Sequence, residues 1–365
     1  MAGDAERPTP GTLDVEDLRS RLGKTLSAFL DARATELATI GDDLELLASG
    51  IRDFVLEGGK RLRPAFAYWG WRGAGRADCE EIVAAVSALE LLHACALIHD
   101  DVMDGSDTRR GGPSVHRLFE TAHAACEWRG SAETFGTSAA ILLGDMCLVW
   151  SDLALATSGL PDADIIRGEP VWHAMRTELM AGQYLDVLAQ ATGAQEEPVQ
   201  RALRVARYKS GKYTVERPLH LGAALAGATP ELVATYSAYG VPLGEAFQLR
   251  DDVLGVFGDP TVTGKPAGDD LREGKRTVLL AYATERSTPA QAALVERLLG
   301  RADLDADGVE SLREVIVSTG ALARVEAMIA ERAESSLAAL ESATIEPVAG
   351  DVLRELALAA TDRTG

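Results

Sequence analysis

The chain has 365 residues, 47% of them hydrophobic and 25% charged, a balance that supports a large buried core. Aromatic residues reach only 5% while Ala and Leu abound, which favours helices over strands. Its 36 basic against 56 acidic residues give a net charge of −20, which opposes attraction to nucleic acid or an anionic membrane surface.

Residues 1–12 are polar, carry two prolines and read as a disordered N-terminus; residues 13–365 read as one all-helical domain. The N-terminus has no apolar core of a secretory signal, so a cytoplasmic location is expected. From Val15 the apolar positions Leu18, Leu22, Leu26 and Leu30 recur at helical spacing. Similar patterns follow over roughly 78–104, 131–158, 162–191, 198–226, 230–257, 271–285, 289–300, 309–341 and 350–361, with no clear strand. No internal repeat or low-complexity linker divides the chain, so a single all-α bundle packed around a central space is the expected architecture. The most apolar run, Ile82 to Ile98, is 17 residues long and carries Glu90 and His93, which makes it short and polar for a membrane span. Cys79, Cys95, Cys126 and Cys147 show no CxxC spacing and read as reduced core residues.

The stretch LIHDDVMDGSDTRRGGPSVH, Leu97 to His116, carries the first chemical signal. Positions i and i+4 share a helix face, so Asp100 and Asp104 point the same way, with Asp101 about 100° round. The preceding ALELLHACALIH is apolar enough to be buried, which puts these carboxylates at the mouth of a core helix. Such an all-oxygen cluster suits magnesium, which takes one or two protein carboxylates and completes its shell with water and phosphate oxygens. A second apolar segment, AFQLRDDVLGVFGD, ends in Asp251 and Asp252, with Gln248 one turn earlier. Two carboxylate clusters facing a common cavity could hold several magnesium ions around a diphosphate. Lys60 and Arg63 in GGKRLRP, Arg109 and Arg110, then Lys209, Lys265 and Lys275 supply more cations than one diphosphate needs. Two anionic substrates are implied, one bridged by metal and one held by Lys and Arg.

Taken in order, GGKRLRP, LIHDDVMD, RRGGPSVH, ILLGD, YKSGKYT, FQLRDDVLGVFGD and TGKPAGDDLREGKRT resemble the trans-isoprenyl diphosphate synthases, and the resemblance spans about residues 51–285. It implies an all-α bundle around a deep apolar pocket, usually a homodimer, that joins isopentenyl diphosphate head-to-tail to dimethylallyl, geranyl or farnesyl diphosphate. It also implies about three magnesium ions with substrate bound. By resemblance, Asp100, Asp104 and Asp251 are magnesium ligands, with Asp101 and Asp252 supporting them. Arg109, Lys209 and Lys265 then neutralise the allylic diphosphate as it leaves. Lys60, Arg63, His93 and Arg110 resemble the isopentenyl diphosphate site, and Lys275 is counted among the substrate-binding cations. Ser210, where the family usually has Thr, and Gln248 line the region where the cation develops.

The second motif usually reads DDxxD, and here its fifth position is Gly255. Asp270 is a candidate supporting carboxylate. Chain length in the family is set by side chains one or more turns below the first aspartate motif, facing the pocket, and here Cys95 and Ala96 are small. The pocket is therefore expected to extend another turn, about 5.4 Å, toward Leu92 and Leu89, which points to geranylgeranyl diphosphate as the main product. A farnesyl or longer-chain product is the alternative, as is a non-catalytic partner subunit, which only Gly255 favours.

Overall fold

The computed structural model describes residues 15–192, 196–259, 268–341 and 343–361. The expected disordered segment 1–12 and Lys265 lie outside them. Sixteen α-helices and one π-helix carry the fold among the described residues, and the expected all-α class is observed.

The first helices are α1 (Leu18–Ala38), α2 (Glu45–Leu56), α3 (Leu62–Gly73) and α4 (Glu80–Asp104). Next come α5 (Val115–Ala125), α6 (Ala132–Ala156), α7 (Asp162–Thr192) and α8 (Pro198–Val205). After the π-helix Ala206–Glu216 follow α9 (Arg217–Ala226) and α10 (Pro230–Phe257). The C-terminal part holds α11 (Asp269–Glu273), α12 (Val278–Glu285), α13 (Pro289–Leu298), α14 (Ala306–Ser318), α15 (Ala321–Glu341) and α16 (Pro347–Thr361).

Helix α4 is apolar on nearly every side, and a helix of that kind belongs in a core. Between Ala85 and Ile98 only His93, Ala96 and Leu97 escape full burial, so one strip of accessible surface runs down α4 to Asp100. One apolar cluster gathers around α3, α4, α6 and α9; a second joins α12, α14 and α15. Helix α10 belongs to both, with Leu243 in the first and Leu249 in the second.

Several details differ from the sequence expectation. Helices α2, α3 and α5 were not anticipated, because glycines, prolines and cations punctuate their flanks. The pattern read as one helix over 198–226 contains the π-helix, whose longer i→i+5 bonds a 3.6-residue period does not reveal. The pattern over 309–341 breaks at Gly320, which takes a left-handed φ of 74°. A two-residue ladder pairs Thr108–Arg109 with Gly112–Pro113, and Arg110 and Gly111 between them have φ of 54° and 82°. Two positive φ values in succession make the tight hairpin turn that fits twisted strands. Of the four thiols only Cys95 and Cys147 are core residues; Cys79 is half-buried and Cys126 exposed. Two helices, Glu80–Asp104 and Ala132–Ala156, are long and apolar enough to cross a bilayer, which corrects the expectation that the first was too short; their most apolar windows are 72% and 50% buried inside the fold.

Candidate active site

The aspartates of α4 occupy its last turn, since Gly105 ends the helix in a left-handed conformation. Carboxylates at a helix C-terminus meet the negative end of the dipole, so cations must compensate them. Three do. Lys209 Nζ lies 2.9 Å from Asp100 Oδ1, Lys275 Nζ lies 3.1 Å from Asp104 Oδ2, and Arg109 grips both oxygens of Asp101. Asp101 is fully buried, so its part in the site runs through Arg109.

Burial alone would raise the Asp100 carboxyl, but Lys209 and Lys275 outweigh it and hold Asp100 well below the ordinary range. Asp104 goes the other way: burial, with Asp100 and Glu273 beside it, raises it against the pull of Lys275. Asp252, in the penultimate turn of α10, is pushed up to about 8 by burial together with Asp270, Asp251 and Asp186, although Gln248 donates to it at 2.7 Å. Asp251 beside it is half-buried. Asp186 links the two motifs, since it acts on Asp252 and also accepts from Lys209 at 2.6 Å.

Lys209 and Ser210 stand on the π-helix, a geometry concentrated at functional sites. Glycines hold that segment close to both neighbours: a Cβ on Gly182 of α7 would lie 2.3 Å from the Lys209 nitrogen, and one on Gly244 of α10 would lie 2.2 Å from the Gly211 carbonyl oxygen.

The other expected cations form a second group. Arg63 donates to Thr214 Oγ1 at 2.9 Å and stacks over the Tyr213 ring at 4.5 Å. The His93 ring centroid is 6.2 Å from that of Tyr213. Burial first, then Arg63, Arg110, Arg109 and Arg61, hold His93 well below its ordinary pKa, so it is neutral. Arg110 donates to the carbonyls of Phe54, at 3.2 Å, and Glu57, closing the C-terminus of α2 next to Lys60. Three buried polar atoms here accept or donate no hydrogen bond within the protein: Arg63 Nε, His93 Nδ1 and Tyr213 Oη.

Lys275 meets Asp104 and lies 3.7 Å from Asp270, so it joins the first aspartate motif to the α11 carboxylate. Of the chain-length positions, Ala96 lies on the accessible strip of α4 and Leu92 is fully buried. Cys95 turns into the contact with α6, 3.8 Å from His99 Nδ1 and close to Cys147.

Three contributors were not read from the sequence. Gln183 donates to Asp100 at 2.8 Å, and Asp186, one turn on, holds Lys209. Arg61, between Lys60 and Arg63, turns inward to a buried ion pair with Glu90 and donates to the Val55 carbonyl at 2.8 Å.

A family model described as polyprenyl synthetase matches residues 45–316. The chain belongs to the polyprenyl synthetase family. This polyprenyl synthetase is 30% identical over 335 residues to a geranylgeranyl diphosphate synthase of Mycobacterium tuberculosis, covering 91% of this chain and 89% of that one. It is 32% identical over 272 residues to a geranylfarnesyl diphosphate synthase of Aeropyrum pernix, covering 73% and 78%. Among solved structures it resembles a geranylgeranyl pyrophosphate synthase from Corynebacterium glutamicum, complexed with isoprenyl diphosphate and magnesium, at a TM-score of 0.92 and 43% identity over 96% of this chain and 99% of that one. The family makes this polyprenyl synthetase a prenyl-transferring enzyme. The names of its relatives span several product lengths.

Proposed function

We propose that the chain is a magnesium-dependent geranylgeranyl diphosphate synthase that works as a cytoplasmic homodimer, with residues 13–365 as one catalytic unit. The observation that carries this reading is the accessible strip of α4, which leads from the lysine-paired Asp100 and Asp104 past the small Ala96.

The donor set fits magnesium. It consists of carboxylate oxygens, and Asp104, whose side chain is 2% exposed, has no well-formed hydrogen bond to either oxygen although Lys275 is 3.1 Å from one. Among the described residues no three His, Cys, Asp or Glu side chains stand close enough to enclose an ion by themselves. Magnesium takes few protein ligands and relies on water and phosphate oxygens. Asp100 and Asp104 on one side and Asp251 on the other would hold separate magnesium ions, which when bound would supply Lewis-acid stabilisation of the diphosphate leaving group.

Lys209 and Arg109 then offer positive charge where the allylic C–O bond breaks and its electron pair leaves with diphosphate, and Lys265 is assigned the same part. Lys60, Arg63, His93 and Arg110 hold isopentenyl diphosphate so that its double bond attacks the allylic carbon. Ser210 and Gln248 offer dipoles to the developing cation. A proton lost next to the new bond passes to the released diphosphate.

The dimer reading rests on α6 and α7. Leu142 and Val149, seven residues apart on one face of α6, are 57% and 64% exposed, and Tyr184 of α7 is 65% exposed. Exposed apolar side chains of this size on neighbouring helices of the chain favour an interface, and a second copy would cover them. Light scattering on the purified chain should give twice the monomer mass, and Val149→Glu should shift it toward the monomer.

The deciding experiment is incubation with magnesium, isopentenyl diphosphate and each allylic diphosphate in turn, followed by product sizing. A linear twenty-carbon diphosphate supports the reading. A fifteen-carbon limit, or much longer chains, would overturn the product assignment, and no elongation would favour a partner subunit.

A further inference from the structure

Helix α10 is tied to α15 at three points. Ser336 Oγ donates to the Tyr239 carbonyl at 2.9 Å, Arg332 Nε donates to Glu245 Oε2 at 2.6 Å, and Arg250 clasps both oxygens of Glu326 at 2.6 and 2.8 Å. Residue numbers fall along α15 as they rise along α10, so the helices lie antiparallel in a register these contacts define. The middle contact reaches a third element. Glu245 is almost fully buried, and its other oxygen, Oε1, accepts from Arg207 Nε at 2.6 Å. Arg207 enters from the π-helix two residues before Lys209, and a Cβ on Gly244 would lie 2.2 Å from the carbonyl oxygen of Gly211, two residues after it. Lys209 therefore stands between two attachments of the π-helix to α10. Glu245 and Asp252 are seven residues apart, about two turns, and share a face of α10.

We infer that Glu245 is a positioning residue for the reaction: held by Arg207 on the π-helix and Arg332 on α15, its carboxylate sets the spacing between Lys209 and the aspartates of α10. Stability does not account for the cluster. Taking a carboxylate and two guanidinium groups out of water costs about as much as their pairing returns, and apolar residues of similar volume often serve as well. What the pairing adds is direction, because each Glu245 oxygen takes the Nε hydrogen of one arginine, whereas apolar surfaces can slide. Asp186 shows that the spacing matters, since it accepts from Lys209 at 2.6 Å and also acts on Asp252. A slip of the π-helix along α10 moves Lys209 relative to Asp251 and Asp252 while leaving Arg63 on α3 and His93 on α4 in place. The inference rests on the reading in which Lys209 and Asp251 act on one leaving diphosphate, and it brings α15 into that site through Arg332.

The test measures kcat for elongation and KM for isopentenyl diphosphate on the full chain, with a thermal melt of each variant. Glu245→Gln keeps the shape and removes the charge that holds both arginines. Its kcat should fall about tenfold or more, since a misplacement of about 1 Å at a reacting centre can cost about a hundredfold. Its KM for isopentenyl diphosphate should stay within about twofold, because the groups assigned to that substrate do not move. Arg332→Gln breaks only the α15 side, at a partly exposed side chain, and should lower kcat in the same direction by less while staying folded. The triple variant Arg207→Met, Glu245→Leu, Arg332→Met removes every charge of the cluster; it should melt close to the unaltered chain and still keep the low kcat. A triple variant that regains kcat together with stability would overturn the inference, because the cluster would then hold the fold and nothing more. Full kcat in folded Glu245→Gln or Arg332→Gln, or a loss that falls on KM for isopentenyl diphosphate instead, would overturn it as well. No elongation by the unaltered chain would overturn the reading of the site on which the inference stands.

Discussion

Gly182 and Lys209 touch through their backbones: a Cβ on Gly182 would stand 2.3 Å from the Lys209 nitrogen and 2.7 Å from its Cα. The lysine that spans Asp100 and Asp186 is therefore placed by a glycine on another helix. Gly182→Ala is expected to push the π-helix off α7 and carry Lys209 away from Asp100. A displacement of about 1 Å at a reacting centre can cost about a hundredfold in rate. The check is kcat for elongation beside a melting curve. A rate within a few-fold of the unaltered enzyme would show that Lys209 tolerates the shift.

Ala96→Phe should shorten the product. Ala96 is one turn above Asp100 on the accessible strip of α4 that ends there, and a phenyl ring at this position would close the path toward Leu92. Chromatography of the products should show the main species falling from twenty carbons to fifteen. Cys95→Phe is expected to act chiefly on stability, because Cys95 faces α6 rather than the strip. A shortened product from Cys95→Phe at unchanged stability would place the wall of the pocket on the other side of the helix.

Glu90→Ala should destabilise the fold by about 3–5 kcal/mol, since it leaves Arg61 buried without its partner. Arg61 also ties the last turn of α2 through the Val55 and Leu56 carbonyls, so Lys60 and Arg110 next to them should loosen. Urea unfolding measures the first effect. A rise in KM for isopentenyl diphosphate with little change in KM for the allylic substrate measures the second.

Acid should weaken the fold partly through His93. Burial and four nearby guanidinium groups hold its folded pKa well below the ordinary value. Below about pH 6.5 the unfolded chain takes up a proton that the folded chain refuses, so stability falls as pH falls through that region. The drop in melting temperature between pH 7 and pH 5 should be smaller in His93→Asn. An equal drop in both proteins would show that His93 titrates alike in the folded and unfolded states.

The aspartate motifs were legible from the sequence because helix periodicity fixes them: an i, i+4 pair at the end of an apolar run has one face and one end. Gln183 and Asp186 were not, because polar residues one turn apart on a long helix look like a solvated face until Lys209 and Asp100 are brought against them. Arg61 was hidden by its neighbours. Lys60, Arg61 and Arg63 read as one basic cluster, and only a left-handed φ of 52° at Arg61 and the buried Glu90 show that the middle one turns inward. Gly255 and Asp270 were both picked out in the sequence, but their meeting was not, because no local pattern encodes how α11 approaches α10.

The π-helix has a consequence for how the enzyme fails. Backbone of this kind is rare and weakly favoured on its own, so residues 206–216 keep their path through the docking of α7 on one side and α10 on the other. The lysine of that segment loses its place as soon as either neighbour loosens, while most helices remain formed. Under mild urea or gentle heating, turnover should therefore disappear before the circular dichroism signal of the helices changes. Amide protons of the segment should exchange with solvent sooner than those of α4.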